Sequence, residues 1–335
     1  MTVDDLTLLV LAAGRSTRYG RLKQTDPVGP SGETIVDYSV FDALQAGFTR
    51  VVFVVRTDIE QEFRQAVGRR IERHVDVRYA FQDRVGPPRA KPWGTVHAVL
   101  SGEDVVGGPF GVVNADDFYG PGSFRVLAGH LAPDRPSAAM VGFALRNTLS
   151  ESGGVTRGIC RFAERSAGGA SIGTERSAGG ASTGTERSAG GASIGTERSA
   201  GGASTGTDAP SLVTVDETFD IVSDGAGGAT GSTGRLSGDE VVSMNMWGFP
   251  RSAFWPMRGR WEAFLESHGG SETAELTIPE AVTDMIGRGE LDVTVLRTGD
   301  RWFGVTHPDD RPLVVARLQE LVDSGEYPAE LWSGS

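Results

Sequence analysis

Lysine is scarce in this chain: of its 32 lysine and arginine residues, only Lys23 and Lys91 are lysines. Cysteine is scarcer still, since Cys160 stands alone, which rules out an intramolecular disulfide and a CxxC metal site. No apolar run reaches the length that spans a bilayer, and no charged-then-apolar leader precedes Asp4 and Asp5. Net positive charge is missing too. The formal charge is −12, which argues against a nucleic-acid-binding surface. The expectation left by these absences is a cytoplasmic enzyme with neither nucleic-acid nor membrane partners. What is present is an ordinary apolar share, 39% of 335 residues, enough for one large domain or two small ones.

The two remaining lysines are informative by position. Lys23 shares a loop with Arg15, Arg18 and Arg21, and Lys91 opens the segment Lys91 to Leu100. An ammonium is a compact, flexible point charge that a planar guanidinium does not replace. Lys23 therefore marks a place where an anion is expected. Lys91 has two readings, a reach to a phosphate or a cap on its own loop.

The stretch Leu8 to Gln24 organises the rest. Its apolar run, Leu8 to Ala13, has no polar alternation and reads as a buried strand of a parallel sheet. It ends at Gly14, where the lack of a side chain lets loop amides approach a phosphate. Ala12, Ala13, Gly14, Arg15 and Ser16 are the candidate nucleotide contacts, with Arg18 and Lys23 as cations behind them. Two familiar phosphate loops are excluded. The next glycine, Gly20, is followed by Arg21 and Leu22, so there is no P-loop. Arg15 and Ser16 after Gly14 break the dinucleotide fingerprint.

Further along, Thr34 to Gly47 spaces its apolar residues as an amphipathic helix ended by glycine. Val51 to Val55 reads as a second buried strand, Asp58 to Ile71 as a helix and Val75 to Phe81 as a third strand. This alternation predicts an α/β fold: an open, mostly parallel sheet with helices on both faces and ligands at the carboxyl ends of its strands. Gln82 ends the third strand. Gly94 and Thr95 start a helix containing His97, which reads as a histidine satisfied by a neighbour. Phe110 to Val113 is a fourth strand and delivers NADDFYG, Asn114 to Gly120. Adjacent carboxylates at a strand's carboxyl end suit Mg²⁺, so Asp116 and Asp117 are the metal candidates. More strands are expected at Ser137 to Leu145, Ser211 to Val222, Val241 to Pro250 and Asp292 to Leu296.

Between Glu164 and Thr207 the sequence repeats ERSAGGAS[IT]GT four times with a period of eleven. Each unit has at most one large apolar residue, so 164–210 is expected to be a disordered insertion with no core. A second loose patch is expected at Gly225 to Gly234.

LAAGRSTRYGRLK resembles the signature loop of the nucleotidyltransferases that activate sugar phosphates, LAAG-x-[GS]-[TS]-R-x-G followed shortly by a lysine. The resemblance implies a Rossmann-like nucleotidyltransferase fold that joins a nucleoside triphosphate to a sugar 1-phosphate with Mg²⁺. Arg18, Lys23 and Asp116 would then be catalytic, and Asp116 the preferred metal ligand. Gln82, Gly94 and Thr95 would frame the base, and Asn147, Gly154 and Asn245 the acceptor. Residues 1–135 would form the nucleotide-binding half, and 136–163 with 211–335 the acceptor half. The stretch Arg301 to Pro312 resembles the family's closing W-x-D-x-G-T-P-E-D segment, with Asp309 and Asp310 heading the helix Leu313 to Val322.

Two departures stand out. Gly304 occupies the position of the closing aspartate that serves as a second metal ligand, and no lysine lies near Asp216 to Phe219, where the family holds the acceptor phosphate. Two rival readings follow: a cytidylyltransferase acting on phosphocholine or a similar phosphorylated alcohol, and a non-catalytic binder of nucleotide sugars. Loss of one preorganised charge-stabilising group costs roughly 3–4 kcal/mol of barrier. Arg18→Ala is therefore expected to slow pyrophosphate release by about 10²–10³ at saturating Mg²⁺ and triphosphate, and turnover within a few-fold of the parent contradicts that role.

Overall fold

The first strand, β1 (Thr7–Leu11), lies inside the protein because nothing polar interrupts it. The computed structural model that shows this describes residues 6–14, 17–18, 21–131, 137–150, 153–163, 210–304 and 310–333. The side chains of Thr17, Arg18, Arg21 and Lys23 are not among what it describes. Arg15, Ser16, Asp309 and the repeat, 164–209, lie outside the described residues.

After β1, two short strands, β2 (Thr17–Arg18) and β3 (Arg21–Leu22), pair antiparallel within the loop. Helix α1 (Ile35–Ala46) starts where Asp37 Oδ2 accepts the Thr34 amide at 2.7 Å and the Thr34 hydroxyl at 2.8 Å. It ends at Gly47, whose φ of 104° makes the left-handed cap that favours glycine. There follow β4 (Arg50–Val55), α2 (Glu60–Phe63), a π-turn at Arg64–Gly68, α3 (Arg69–Ile71), β5 (Asp76–Phe81), α4 (Thr95–Ser101) and β6 (Phe110–Asn114). Strands β6, β1, β4 and β5 lie side by side in that order, all parallel.

Alternate residues of β1 show why helices must cover both faces. Leu8 and Val10 enter a core with Val36 and Val40 of α1, whereas Leu9 enters a second core with Val99 of α4. Both sides of the strand are therefore buried, as its unbroken apolar run requires.

The second half begins with β7 (Asp117–Phe118), α5 (Pro121–His130), β8 (Ala138–Ala144), β9 (Val155–Phe162) and β10 (Leu212–Ser223). It continues through β11 (Ala229–Gly231), β12 (Gly234–Leu236), β13 (Val241–Phe249), α6 (Phe254–His268) and α7 (Ile278–Gly287). It closes with β14 (Val293–Arg297), β15 (Phe303–Gly304) and α8 (Asp310–Asp323). Strand β13 runs antiparallel to β6 and joins the parallel strands to β8, β9 and β10. The expected strand at Ser137 to Leu145 is thus present as β8, but its partners are β13 and, in parallel, β14.

One expectation is corrected. Gly225 to Gly234 is not a loose patch, because it contributes β11 and part of β12, a hairpin at the sheet's end. Its glycine-rich turn is fastened by Asp224, whose Oδ1 accepts the amides of Ala226 at 2.8 Å and Gly228 at 2.9 Å. Among the described residues no helix is long and apolar enough to cross a membrane.

The C-terminal segment is fastened to acids on α1. Asp37 receives Arg70 through two hydrogen bonds, at 2.7 and 2.5 Å, and Trp332 Nε1 at 3.0 Å. One turn on, the Tyr327 hydroxyl donates to Asp42 Oδ2 at 2.7 Å in the protein interior. Burial pushes the Asp42 carboxyl up to about 8, against the opposing hydrogen bond from Tyr327. The folded state therefore binds this proton more tightly than the unfolded chain, and stability falls as pH rises from about 4 to about 8. Asp42→Asn keeps an acceptor for Tyr327 and removes the titration. Its denaturation midpoint is expected to fall less than the parent's between about pH 5 and pH 8, and equal slopes contradict the account.

Candidate active site

The register of β1 against β6 decides where the two polar loops meet. Leu11 lies opposite Asn114, and the Ala115 amide donates to Leu11 O at 3.2 Å. Gly14 and Asp116 therefore leave neighbouring parallel strands at the same carboxyl edge. The first loop is braced by Gln24, a buried side chain whose Nε2 donates to Ala12 O at 2.9 Å and Gly14 O at 3.3 Å. Gln24 lines a small cleft with Asp116, Asp26 and Arg311, and Arg311 Nη2 donates to Pro27 O at 2.8 Å. The glycine loop is thus braced by a side-chain amide, and that amide's residue lines the cleft with Asp116.

The acid turn itself is held by neutral groups. Asp117 is nearly buried, and its Oδ2 accepts from Asn114 Nδ2 at 2.9 Å and from the Tyr119 hydroxyl at 3.3 Å. Tyr119 in turn accepts the Asn114 amide at 3.1 Å. Burial, with the Asp117 charge beside it, pushes the Tyr119 hydroxyl far above its usual range, so it stays a donor. Asn245 extends the same network: its Nδ2 donates to Asn114 Oδ1 at 2.7 Å and its Oδ1 accepts Trp247 Nε1 at 3.1 Å. Asn245 has φ of 62°, at an irregularity where the β13 register against β8 shifts between Ser243 and Trp247. Such a bulge turns one side chain out of the pleat, here toward the acid turn.

Asp116, half-buried, points its role elsewhere than Asp117 does. Mg²⁺ takes one or two carboxylates and leaves its other positions to phosphates and water. Asp116 at the cleft fits that demand, while one oxygen of Asp117 is already given to two donors. No cluster of three or more His, Cys, Asp or Glu is found among the described residues. Gly304 explains why a second acid is not added from β15. Gly304 pairs with Asp117 across the β7–β15 ladder, and a Cβ there would stand 2.6 Å from Asp117 Oδ1 and 3.1 Å from Asp116 O.

Gln82 lies two strands from Gly14 along the same edge, at the end of β5. Its Nε2 is within 3.2 Å of Gly94 O and of His97 Nδ1. His97 Nε2 lies 2.7 Å from Val85 O, and the ring stacks on Trp261 at 4.8 Å. Burial lowers its pKa, so His97 is a neutral, satisfied core histidine, as expected. Gly94 and Thr95 are engaged with the C-terminal segment. Gly94, at φ of 105°, leaves no room for a Cβ against Leu276 O, 2.3 Å away, and Thr95 Oγ1 accepts the Ile278 amide at 2.8 Å. Lys91 caps its loop, with Nζ 3.5 Å from Glu275 and 3.3 Å from Thr273 O.

Beyond the acid turn lies a cavity of about 370 Å³ that reaches Gly304, Gly154 and Arg157. Asn147 stands at its side, accepting the Trp302 amide on its carbonyl at 3.1 Å. Arg157 is held over the Trp302 ring at 4.8 Å, with donors to the Thr148 carbonyl and hydroxyl and to Thr156 O at 2.8 Å.

Residues 8–144 match the model of the MobA-like NTP transferase domain. The match covers less than half of the chain, and that stretch is similar to a nucleotidyltransferase domain. The whole chain also resembles solved structures of low sequence identity. A putative glucose-1-phosphate thymidylyltransferase from Bacillus anthracis, solved with a sucrose, has a TM-score of 0.58 at 12% identity, covering 98% of this chain and 100% of that one. The inositol-1-phosphate CTP transferase from T. maritima has a TM-score of 0.53 at 12% identity, covering 95% and 98%. A UDP-glucose pyrophosphorylase complexed with UDP-glucose has a TM-score of 0.51 at 14% identity, covering 95% and 99%. At these identities the likeness is one of fold. No curated protein sequence matches the chain.

Within the matched stretch, Ala12, Ala13 and Gly14 follow β1 and Asp116 follows the neighbouring β6 at one sheet edge, and Gln82 lies further along that edge. Arg18 and Lys23 follow Gly14 in the backbone, with side chains outside the description, and Arg15 and Ser16 are outside it altogether. Asn147, Gly154, Asn245 and Gly304 come from beyond the matched domain. Reading the sequence missed Gln24, Asn114, Tyr119 and Arg157. The first three sit inside stretches already singled out, LKQ and NADDFYG, whereas nothing around Arg157 marks it. Removing a hydrogen-bond donor from buried carbonyls costs about 1–3 kcal/mol. Gln24→Ala is expected to weaken triphosphate binding about tenfold by calorimetry, and an unchanged Kd contradicts the bracing role.

Proposed function

We propose that this chain joins a nucleoside triphosphate to a sugar 1-phosphate, giving a nucleoside diphosphate sugar and pyrophosphate. The observation that carries the reading is the shared edge of Gly14 and Asp116, with Gln24 bracing the Gly14 loop. The matched transferase domain supports the reaction class. The sugar phosphate is supported by the names of the similar structures, two of which act on glucose 1-phosphate or its uridylyl product.

A phosphate monoester has a second pKa of about 6, so at neutral pH the acceptor arrives largely as a dianion. One of its oxygens forms the new bond to the α-phosphorus. The α–β bridging bond breaks, and its electron pair leaves with pyrophosphate. No protein base is required, which agrees with His97 being buried, neutral and occupied. The work of the site is to position the reactants and to meet developing charge. Amides at Gly14, with Arg18 and Lys23, would receive the departing pyrophosphate. Asn114 and Tyr119 keep the acid turn rigid by filling Asp117 Oδ2. Asp116 would hold Mg²⁺, which supplies charge neutralisation on the phosphates when bound. Gln82 and Gly94 would border the base, and Asn147, Gly154 and Asn245 the acceptor.

A phosphorylated alcohol is the second reading for the acceptor, favoured by the likeness to the inositol-1-phosphate CTP transferase. The deciding experiment is a matrix of the four ribonucleoside triphosphates and dTTP against sugar 1-phosphates, inositol 1-phosphate and phosphocholine, read by pyrophosphate release. Turnover of a sugar 1-phosphate is expected, with Asp116→Asn slower by about 10² or more at saturating Mg²⁺. Turnover of phosphorylated alcohols alone selects the second reading. Nucleotide-sugar binding without any pyrophosphate release overturns catalysis and leaves a binding protein.

A further inference from the structure

Gln82 and His97 belong to a chain of hydrogen bonds whose direction is fixed at both ends. At one end His97 Nε2 lies 2.7 Å from Val85 O. A carbonyl oxygen only accepts, so Nε2 carries the ring hydrogen. Burial holds the His97 pKa below its usual value, against the hydrogen bond to Val85 O, and the ring has no second hydrogen at neutral pH. Nδ1 is therefore a bare acceptor, and Gln82 Nε2 lies 3.2 Å from it.

At the other end the same Gln82 nitrogen lies 3.2 Å from Gly94 O. That carbonyl is itself held: it accepts the Ala98 amide at 3.3 Å, and Gly94, at a φ of 105°, is pressed against Leu276. Turning the Gln82 amide over would set its oxygen against two acceptors. Both hydrogens of the amide nitrogen are thus engaged inside the protein, one by Gly94 O and one by His97. The group left is Oε1. It has no hydrogen-bond partner among the described residues, and it is not among the partnerless side-chain atoms sealed from solvent. Where β5 ends, Gln82 therefore offers an acceptor and no donor.

We propose that His97 is a positioning residue that sets the Gln82 amide with its oxygen outward, so that the nucleobase is read through one of its own N–H donors. This rests on the transfer reaction proposed above, with Gln82 bordering the base, and adds how the base is read. An amide free to turn accepts from a base N–H or donates to a base carbonyl with equal ease. Gly94 O holds one of its hydrogens, and His97 takes the second and stops the turn. The cost then falls on the ligand, because a base presenting only an acceptor there leaves two acceptors face to face. Histidine suits the task, since its neutral ring donates at one nitrogen and accepts at the other and so hands the direction set by Val85 O on to Gln82. The ring is kept in its plane by Trp261, with centroids 4.8 Å apart and planes within 12° of parallel.

Two measurements on the full-length protein test it. Nitrogen-15 NMR of the histidine rings, assigned by through-bond correlation, is expected to show His97 with its hydrogen on Nε2 and Nδ1 bare at neutral pH. A hydrogen on Nδ1 overturns the proposal whatever the protein turns over. The second measurement compares the triphosphate of highest turnover with analogues that each lack one N–H of the base. One analogue is expected to lose about tenfold or more in kcat/KM. In His97→Phe, which keeps an aromatic ring for Trp261 and removes both nitrogens, that ratio is expected to fall toward one. Gln82→Met carries the same comparison without touching the histidine, and its ratio is also expected to fall toward one. Equal use of all the analogues by the parent, or a ratio kept intact in either variant, overturns the proposal while leaving nucleotidyl transfer in place. A protein that neither binds nor turns over any triphosphate overturns the transfer reading, and the reading of the base with it.

Discussion

Everything at the candidate site depends on one pairing, the parallel ladder that sets Leu11 against Asn114. Two adjacent strands in that register must release their following loops on the same side, within a few residues of each other. A glycine turn and an acid turn thereby become neighbours although about a hundred residues of chain separate them. The pairing is secure because it is buried on both faces: Leu8 and Val10 are packed into one core and Leu9 into the other. A slip of one residue would exchange these sets and tear both cores, so the apolar sequence of β1 protects the geometry of a polar site.

The second constraint is that the acid turn is immobilised by neutral hydrogen bonds. Asn114, Tyr119 and Asn245 form a continuous network that ends on one oxygen of Asp117. These donors fix the carboxylate without bringing a counter-charge of their own. Closing the turn from the other side, Phe303 stacks on Phe118 at 4.3 Å and Gly304 lies flat against both acids. Glycine at 304 thus has a packing reason beside any chemical one. Asp300 adds a further clasp, accepting the Ser123 amide at 2.7 Å at the start of α5.

Much of this was legible before any coordinates. Unbroken apolar runs at Leu8, Val51 and Phe110 announce buried parallel strands, and the residues that end them, Gly14 and Asn114, mark where polar chemistry begins. Helix α1 was legible at both ends, through Thr34 and Gly47. Pairing partners in the second half were not, because β8, β9, β10 and β13 resemble one another in composition and local pattern carries no record of which lies beside which. Glycine count misled at Gly225 to Gly234, where turn geometry and an aspartate fasten a hairpin instead of loosening the chain. Arg157 was invisible for a related reason. It is set over the Trp302 ring beside a cavity, and the neighbours of a side chain are a property of the fold.

The left-handed residue in β13 has one more implication. Before Asn245 the strand takes its alignment from β8 and β9, and after it from β6 and β8. A strand interrupted in this way behaves as a splice between two pieces of sheet, with the asparagine as the joint. Lengthening or re-angling the outer piece would leave Trp247 to Phe249 seated on β6 and the acid turn undisturbed. The fold therefore lets the far side be recut while the edge that carries the acid turn keeps its shape.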